Sequence, residues 1–394
     1  MARYFVISPR TAVDLVLLTR SLNYGGAEWQ LVRLATGAAQ LGYAVSVVVF
    51  YGGGPLQAVL EGAGVPVVAL EKSSRWDLLR FGRSLYCALV SLRPRVLYAF
   101  LDTSNVLAAL LKPWLPKTLL VWSVRASEME YVQYGWLDRV QFRLECLLSA
   151  VPDAIIANSR VGARHAARSG FPKRVIHVIY NGIDTEEFKP DERARNRIRV
   201  EWGVASHDIL IGLIGRLDPM KGHAIFLRAA AMFASLEPRA RYVCVGDGAG
   251  VMSDDLQALA CRLGLDGKLL WLSARRDLPA VYSALDVSCS ASLFGEGFSN
   301  VIGESMACGV PCVVTDVGDS ALIVGRTGLV VKPQDPAALC AAWRTMLSLG
   351  AEGRKTIGCA ARQRIIDEFG LQKMIDTTSK LINGLINNVR AASS

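Results

Sequence analysis

The chain has 394 residues, of which 52% are hydrophobic and 20% are charged. This composition excludes an intrinsically disordered protein and a small disulfide scaffold, and at roughly 150 residues per domain the length predicts two or three domains. The net charge is +9, and the first 190 residues hold most of it, with 21 basic and 14 acidic side chains. A basic first half predicts an anionic partner: a phosphorylated ligand, a membrane surface or nucleic acid.

Short apolar runs alternate with helix-length segments along the whole chain. The predicted strands are 14–18, 44–50, 66–70, 96–100, 119–122, 154–158 and 175–179 in the first half, and 209–214, 241–245, 269–272, 287–289, 311–315 and 328–331 in the second. Nearly continuous apolar strands separated by helices are typical of parallel sheets covered on both faces. Because the pattern runs twice, we predict an α/β fold of two doubly wound, parallel-sheet domains.

The polar stretch 186–207 lies between the two series of strands. It combines proline with several charges, a composition typical of an interdomain linker. The predicted domains are therefore 1–185 and 208–371. A helical segment over about 372–394 follows the last strand at some distance.

Cysteine usage and the apolar segments predict a cytoplasmic protein. The nine cysteines are odd in number and form no Cys-x-x-Cys motif, which is typical of buried, reduced thiols. Cys308 and Cys312 lie four residues apart, but further zinc ligands are missing nearby. Charges interrupt residues 1–22, and prolines and lysines break the longest apolar stretch, 106–124, so we expect neither a signal peptide nor a membrane-spanning helix.

Polar and glycine-rich loops follow the predicted strands of the second half. In open α/β sheets, ligands bind at the carboxyl ends of the strands. Strand 209–214 runs into Gly215 and Arg216, and Lys221 follows on the same loop, so the two cations can clamp a diphosphate. The alternative is two solvated cations on an exposed loop.

The segment 294–304 carries the strongest signal for a binding site. Gly297 allows close approach of a ligand to the backbone, and the N–H groups of Phe298, Ser299, Asn300 and Val301 are expected to be free at a helix start, which binds anions. Glu304, one turn into the helix, can accept hydrogen bonds from vicinal hydroxyls, and Glu296 in the preceding loop can do the same for a second polyol. The alternative role of these carboxylates is to complement the helix dipole.

These motifs resemble the retaining GT-B glycosyltransferases of group 1, the family 4-like type. The resemblance rests on GGAE, YNGID, GRLDPMKGH, VGDGAG, EGFSNVIGESMACGVPCVVTDVGD and TGLVV, in that order along the chain. It implies two Rossmann-like domains that face each other across a deep cleft, with the C-terminal helix packed back on the first domain. It also implies a nucleotide-diphosphate sugar, UDP- or GDP-linked, bound to the second domain.

The resemblance assigns a role to each motif residue. Arg216 and Lys221 match the diphosphate-binding pair, Glu304 the carboxylate on the ribose, and Glu296 the carboxylate that faces the donor sugar. Gly25 and Gly26 match the first-domain loop that approaches the phosphates. We expect no cofactor and no metal, because the chain lacks the Asp-x-Asp spacing of metal-dependent transferases.

The resemblance implies front-face attack, in which the leaving phosphate helps to take the acceptor proton. Many relatives carry a histidine after the fourth or fifth strand of the first domain, whereas none of the four histidines of this chain lies there. The polar groups available at those strand ends are Asp102 and Arg125, which we assign to the acceptor side. Asp102 has an alternative role as a helix cap.

Aromatic and basic residues are interleaved between 112 and 143. Five aromatic residues (Trp114, Trp122, Tyr131, Tyr134 and Trp136) lie among Lys112, Lys117, Arg125, Arg139 and Arg143. This mixture favours peripheral contact with an anionic membrane on its cytoplasmic face and disfavours nucleic acid, since no nucleic-acid motif accompanies it; buried aromatics with solvated cations are the alternative.

Together the patterns predict a glycosyltransferase that uses a lipid-linked or oligosaccharide acceptor in cell-surface polysaccharide synthesis, such as that of lipopolysaccharide. A nucleotide-sugar-binding protein without transferase activity and a nucleotide-sugar epimerase remain alternatives.

Overall fold

A computed structural model describes residues 13–72, 77–125, 127, 136–248 and 251–393. Its strands form two parallel sheets, which confirms the predicted fold class. The first sheet has the order β3-β2-β1-β4-β5-β6-β7, with β1 Leu15–Thr19, β2 Val45–Val49, β3 Val67–Ala69, β4 Val96–Ala99, β5 Leu119–Val124, β6 Ala154–Ala157 and β7 Ile176–Val178. The second has the order β10-β9-β8-β11-β12-β13, with β8 Ile209–Ile214, β9 Ala240–Val245, β10 Leu269–Leu272, β11 Val287–Ser290, β12 Cys312–Thr315 and β13 Gly328–Val331.

Helices cover both faces of each sheet. Those of the first half are α1 Gly26–Gln40, α2 Gln57–Gly62, α3 Leu78–Leu92, α4 Asp102–Leu111, α5 Trp136–Leu148 and α6 Arg160–Arg168. Those of the second half are α7 Glu192–Glu201, α8 His223–Leu236, α9 Val251–Arg262, α10 Leu278–Ala284, α11 Asn300–Ala307, α12 Ser320–Val324, α13 Pro336–Ser348, α14 Gly350–Phe369 and α15 Leu371–Ser393. The central strands of both sheets are almost entirely apolar and are buried from both sides, whereas the edge strands β3, β7, β10 and β13 are partly exposed.

The strand order reverses direction beside β1 in one sheet and beside β8 in the other. β1 pairs with both β2 and β4, and β8 pairs with both β9 and β11. Such switch points leave a crevice at the carboxyl ends of the strands, where ligands bind in open α/β sheets. The loops after β1, β4, β8 and β11 are therefore the parts of the fold that can build a site.

The stretch 186–207 is not the open linker that its polar composition suggested. It contains α7, which Asp191 caps by accepting from the Ala194 N–H at 2.9 Å. One stripe of this helix is apolar, so Ile198 and Trp202 join the core of the second domain. Arg199 on the same helix is buried and pairs with Asp286 at 3.0 Å.

The chain crosses between the domains at two adjacent points. The Ile183 N–H donates to the Phe369 carbonyl at 2.8 Å, and the Leu371 N–H donates to the Ile183 carbonyl at 2.9 Å. The helix expected over about 372–394 is α15, and its residues Ile375 and Ile382 pack in the core of the first domain. The last helix of the sequence thus completes the first domain.

Two helical glycines differ in what surrounds them, and this difference predicts opposite effects of alanine. A Cβ at Gly358 on α14 would lie 1.9 Å from the Gly309 carbonyl oxygen, whereas a Cβ at Gly384 on α15 would meet nothing within 4 Å. We expect Gly358→Ala to lower the free energy of unfolding by about 1–3 kcal/mol through overpacking. Gly384→Ala should raise it by about 0.5–1 kcal/mol through helix propensity. Urea denaturation measures both changes in the free energy of unfolding. Changes of the same sign in the two variants would contradict this packing.

Candidate functional site

The loop after β8 brings a cation to a carboxylate at the centre of the second domain. Gly222 ends this loop with φ +67°, and a Cβ there would lie 2.0 Å from the Ala291 carbonyl oxygen, so only glycine fits. The resulting turn places Lys221 Nζ 2.5 Å from Glu296 Oε1. Ser292 Oγ also donates to Glu296 Oε1, at 2.9 Å. Lys221 and Glu296, predicted from two separate motifs, are therefore direct partners.

Glu296 is held as a carboxylate although it is buried. Burial on its own raises the pKa of this group, but the attraction and hydrogen bond of Lys221 outweigh it, with smaller help from Ser292 and Arg216. The pKa of Glu296 consequently lies below its usual value. The other predicted cation, Arg216, is largely exposed at 75% and lies 3.7 Å from Asp218. It is an exposed charge at the mouth of the site rather than part of its floor.

The start of α11 presents unpaired backbone donors. Ser299 is the buried N-cap residue, and within the described part of the chain the N–H groups of Ser299, Asn300 and Val301 have no protein partner. The side chain of Phe298, by contrast, packs 5.3 Å from the ring of Phe369 in the core, and Val301 packs against the same core. These two residues can contribute only their backbone to a ligand.

Glu304 lies one turn further along α11 and is also buried. Its Oε2 accepts from the Tyr282 hydroxyl at 2.9 Å. Burial raises the pKa of this carboxyl, and the nearby Arg33 guanidinium and the Tyr282 hydrogen bond lower it less. Glu304 thus offers one oxygen fixed by Tyr282 and a second oxygen for a further donor.

Position 297 must be glycine because the first domain leaves no room there for a Cβ. A Cβ at Gly297 would lie 2.4 Å from Asn158 Oδ1 and 3.1 Å from the Arg125 carbonyl oxygen. Asn158 and Arg125 follow strands of the opposite sheet, so the loop before α11 is pressed against the facing domain. Ser127 Oγ strengthens this contact by donating to the Glu296 carbonyl.

The glycines predicted in the first domain lie directly across from α11. Gly25 is the N-cap residue of α1 and Gly26 its first residue, and the Gly26 carbonyl accepts from Asn300 Nδ2 at 3.1 Å. Glu28 follows in the first turn of α1. Burial raises its pKa, while attraction to Arg216 and Arg125 lowers it less. Glu28 lies within a sequence motif, but the motif alone does not indicate that two arginines attract its carboxylate.

Asparagine side chains join the two domains on the floor of the cleft, through contacts that the sequence did not predict. Arg125 Nη1 donates to Asn181 Oδ1 at 2.7 Å, and Asn181 Nδ2 donates to Asn300 Oδ1 at 2.7 Å. Gln30 Nε2 donates to the Gly182 carbonyl at 2.9 Å. Asn181 lies in the quoted YNGID motif, which was the available signal, but its partners come from elements far apart in sequence.

The two residues assigned to the acceptor side lie on neighbouring strand ends. Asp102 is the first residue of α4 after β4, and it is not the helix cap, which is Leu101. Arg125 follows β5, lies 4.5 Å above the Phe100 ring and donates to Tyr98 at 3.4 Å. Repulsion from the Asp102 carboxylate also raises the pKa of Glu145, a buried carboxyl on α5.

The predicted aromatic band divides between core and surface. Trp122 is fully buried in β5, so its assignment to a membrane interface is wrong, and Arg125 lies in the cleft. Trp114 is exposed at 63%. Tyr131, Tyr134 and the side chain of Trp136 lie outside the described residues.

Both halves of the chain match known family profiles. Residues 24–187 match the profile described as Glycosyltransferase Family 4, and residues 208–348 match Glycosyl transferases group 1. The chain belongs to the group 1, family 4 glycosyltransferases. This confirms the family that the motifs indicated.

Individual relatives agree with the assignment. A D-inositol 3-phosphate glycosyltransferase of Corynebacterium glutamicum is 33% identical over 181 residues, which is 44% of this chain and 43% of that protein. The chain thus spans under half the length of this curated relative. The structure of Anabaena Alr3699/HepE in complex with UDP-glucose has a TM-score of 0.84 at 23% identity and covers 94% of this chain and 100% of its own. WaaG, a glycosyltransferase involved in lipopolysaccharide biosynthesis, has a TM-score of 0.72 at 16% identity, with coverage of 94% and 100%.

The described residues lack two other features. They contain no group of three or more histidine, cysteine or acidic side chains placed to hold a metal ion. Their helices also include none that is both long enough and apolar enough to cross a bilayer.

Asp319 of the glycosyltransferase caps a helix of the opposite domain. Its carboxylate accepts from the backbone N–H groups of Arg160 at 2.6 Å and Val161 at 3.0 Å, both at the start of α6. Asp335 makes the corresponding contact inside the second domain, where it accepts from Ala338 N–H at 2.8 Å at the start of α13. Only the Asp319 cap depends on the domains being together.

We expect Asp319→Ala to open the cleft, because the start of α6 loses a capping interaction that closure alone provides. A cap of about 1 kcal/mol shifts the ratio of closed to open molecules about fivefold. Small-angle X-ray scattering should show a larger radius of gyration than in the wild-type protein. Asp335→Ala loses a cap without changing the radius, and an unchanged radius in Asp319→Ala would contradict a role in closure.

Glu145 makes a pH-dependent contribution to stability. Burial, followed by repulsion from Asp102, raises its pKa to about 8, while the Asn105 hydrogen bond lowers it less. Since the folded state holds this proton more tightly than the unfolded state, the stabilisation is complete below the pKa of the unfolded chain and is lost as pH rises through about 8. Glu145→Gln should reduce the loss of unfolding free energy between about pH 5.5 and 7.5 by about 1–2 kcal/mol. Urea titrations measure this, with the exposed Glu352→Gln as the control that keeps the wild-type slope.

Proposed function

We propose that the protein is a retaining glycosyltransferase that moves a sugar from a UDP- or GDP-linked donor to a lipid-linked or oligosaccharide acceptor in cell-surface polysaccharide synthesis. The observation that carries the proposal is the Lys221–Glu296 pair beside the unpaired N–H groups of α11. A fixed ammonium, a helix start and a buried carboxylate are suited to a ligand that is anionic at one end and rich in hydroxyls at the other.

The donor side follows from these groups. Lys221, with Arg216 at the mouth, neutralises the diphosphate, and the N–H groups of Ser299 to Val301 donate to its oxygens. Glu304 accepts from the ribose hydroxyls through the oxygen that Tyr282 leaves available. Glu296 faces the donor sugar and stabilises positive charge that develops at its anomeric carbon.

The transfer step needs no dedicated nucleophile. In front-face attack, the acceptor oxygen bonds to the anomeric carbon as the bond from that carbon to the diphosphate oxygen breaks. The acceptor proton passes to the departing phosphate, so charge and atoms balance and the configuration is retained. Lys221 and the helix start stabilise the charge on the leaving diphosphate. A metal ion has this role in other transferases.

The acceptor side of the proposal rests on Asp102 and Arg125. Arg125 is held by Asn181 and Phe100, so its guanidinium has a fixed position at the end of β5. A fixed cation suits an acceptor that carries phosphate, and among the similar proteins one is a D-inositol 3-phosphate glycosyltransferase and another, WaaG, is involved in lipopolysaccharide biosynthesis. The reduced cysteines and the basic first domain fit a cytoplasmic enzyme that meets its acceptor at a membrane.

Two substitutions test the donor side: Lys221→Met acts on both binding and transfer, because Lys221 also holds Glu296 as a carboxylate, whereas Glu296→Gln acts on transfer. Lys221→Met should weaken donor binding by about tenfold or more, because a charge-assisted contact to the diphosphate is lost. Glu296→Gln should keep nucleotide binding while lowering the transfer rate by about a hundredfold, because the lost charge acts on the transition state. Thermal shift with UDP-, GDP- and ADP-sugars identifies the donor, calorimetry gives its affinity, and NMR of the product gives its anomeric configuration.

The exposed Lys355→Met is the matched control and should behave as the wild-type protein in both assays. Full transfer activity in Glu296→Gln would contradict the role given to this carboxylate. Donor binding with neither transfer nor slow donor hydrolysis would instead identify a binding protein, and an inverted product would exclude front-face attack.

A further inference from the structure

One chain of hydrogen bonds crosses the floor of the cleft from the first domain to the second and back. Arg125 Nη1 donates to Asn181 Oδ1 at 2.7 Å, and Asn181 Nδ2 donates to Asn300 Oδ1 at 2.7 Å. Asn300 Nδ2 then donates to the Gly26 carbonyl at 3.1 Å. Asn300 is the first residue of α11 in the second domain, whereas the other three residues lie in the first. The chain therefore connects the end of β5 to the helix start that presents unpaired N–H groups.

The two ends of this chain fix its direction. A guanidinium can only donate, so the side-chain oxygen of Asn181 must face Arg125. A backbone carbonyl can only accept, so the side-chain nitrogen of Asn300 must face Gly26. The two amides between these ends are thus left with one orientation each, in which Asn181 donates to Asn300. A side chain at 181 that accepts but cannot donate would break the chain.

The backbone beside Asn181 is held independently of the chain. Gln30 on α1 accepts from the Gly182 N–H at 3.0 Å and donates to the Gly182 carbonyl at 2.9 Å. A Cβ at Gly182 would lie 2.8 Å from the Leu371 Cα, so this segment is also packed against the start of α15. Asn181 itself is buried. It is a fixed point of the first domain to which α11 must adapt.

The start of α11 depends on contacts of this kind. Its N-cap residue, Ser299, makes no capping bond through its side chain. The side chain of Asn300 is instead held by three first-domain groups, namely Asn181, the Gly26 carbonyl and, at 3.5 Å, Gln30 Nε2. Because the N–H of Asn300 is one of the unpaired donors, holding this side chain also fixes the direction in which those donors point.

We propose that Asn181 is a positioning residue for the transfer reaction. Its amide sets the start of α11 against Arg125, so that the donor-binding N–H groups and the acceptor-side cation form one unit. Asn181 acts through its two neighbours rather than on the reacting atoms. The inference rests on the proposed function, which assigns the diphosphate to the start of α11. It adds that a change at Arg125 reaches the donor side through a single buried amide.

The test measures nucleotide affinity by calorimetry, with UDP and with GDP. Asn181→Leu removes both hydrogen bonds at similar volume and should weaken binding of the nucleotide that the wild-type protein binds by about tenfold. Asn181→Asp should weaken it as much, because the new carboxylate pairs with Arg125 but cannot donate to Asn300. Combining Asn181→Leu with Asn300→Leu should cost no more than Asn300→Leu alone, since both act on the same contact.

The matched control is Asn105→Leu, which removes another buried amide of the first domain. Asn105 bonds only within that domain, to the Ser123 carbonyl at 2.9 Å and Glu145 at 3.0 Å. This variant should lower the melting temperature and leave nucleotide affinity unchanged. An equal loss of affinity in Asn105→Leu would show a general effect of destabilisation and overturn the proposal. Wild-type affinity in either Asn181→Leu or Asn181→Asp would also overturn it, and Asn181→Asp decides if Asn181→Leu does not fold.

Lys221→Met separates failure of this inference from failure of the proposed function. If Lys221→Met weakens nucleotide binding and the two Asn181 variants do not, the donor site stands and the positioning role is wrong. If the wild-type protein binds neither UDP nor GDP, or Lys221→Met binds as the wild-type protein does, the proposed donor site is wrong and the role of Asn181 falls with it.

Discussion

The second-domain side of the cleft depends on the buried ion pair between Lys221 and Glu296. A buried carboxylate without a partner costs several kcal/mol, so Glu296 can remain charged only where Lys221 reaches it. That reach requires the tight turn at Gly222, which in turn lies against the Ala291 carbonyl after β11. The loops after β8 and β11 are thus fixed to each other before a ligand arrives. In the proposed function, a diphosphate enters a site whose cation is already in place and shares that cation with Glu296.

The meeting of Lys221 and Glu296 could be predicted because it follows from local rules. Parallel strands end at a common edge, so motifs after β8 and β11 had to meet there whatever the details of packing. Apolar runs located the strands because the strands of a parallel sheet are covered on both faces. The cap that Asp319 provides for α6, and the Arg125–Asn181–Asn300 chain, could not be predicted, because they depend on how the two domains face each other.

Two expectations differ from the structure, and the sequence contains part of the physical reason in each case. The stretch 186–207 is polar on average, but Ala194, Ile198 and Trp202 recur every four residues, which is the spacing of a buried helical stripe. Trp122 lies among aromatic and basic residues in the sequence, but it belongs to an apolar strand that is buried on both faces. In both cases the periodicity of the apolar residues, rather than the local composition, indicates the buried position.

The packing of α15 has a consequence for how this chain folds during synthesis. Ile375, Ile382 and Ile386 fill the core of the first domain against α1, yet they are made about 200 residues after its last strand, β7. The first domain therefore leaves the ribosome with an open apolar groove, and the second domain can complete its own core earlier. The N-terminal domain is the first to be translated and the last to be finished, which makes that groove the natural point for a chaperone to protect.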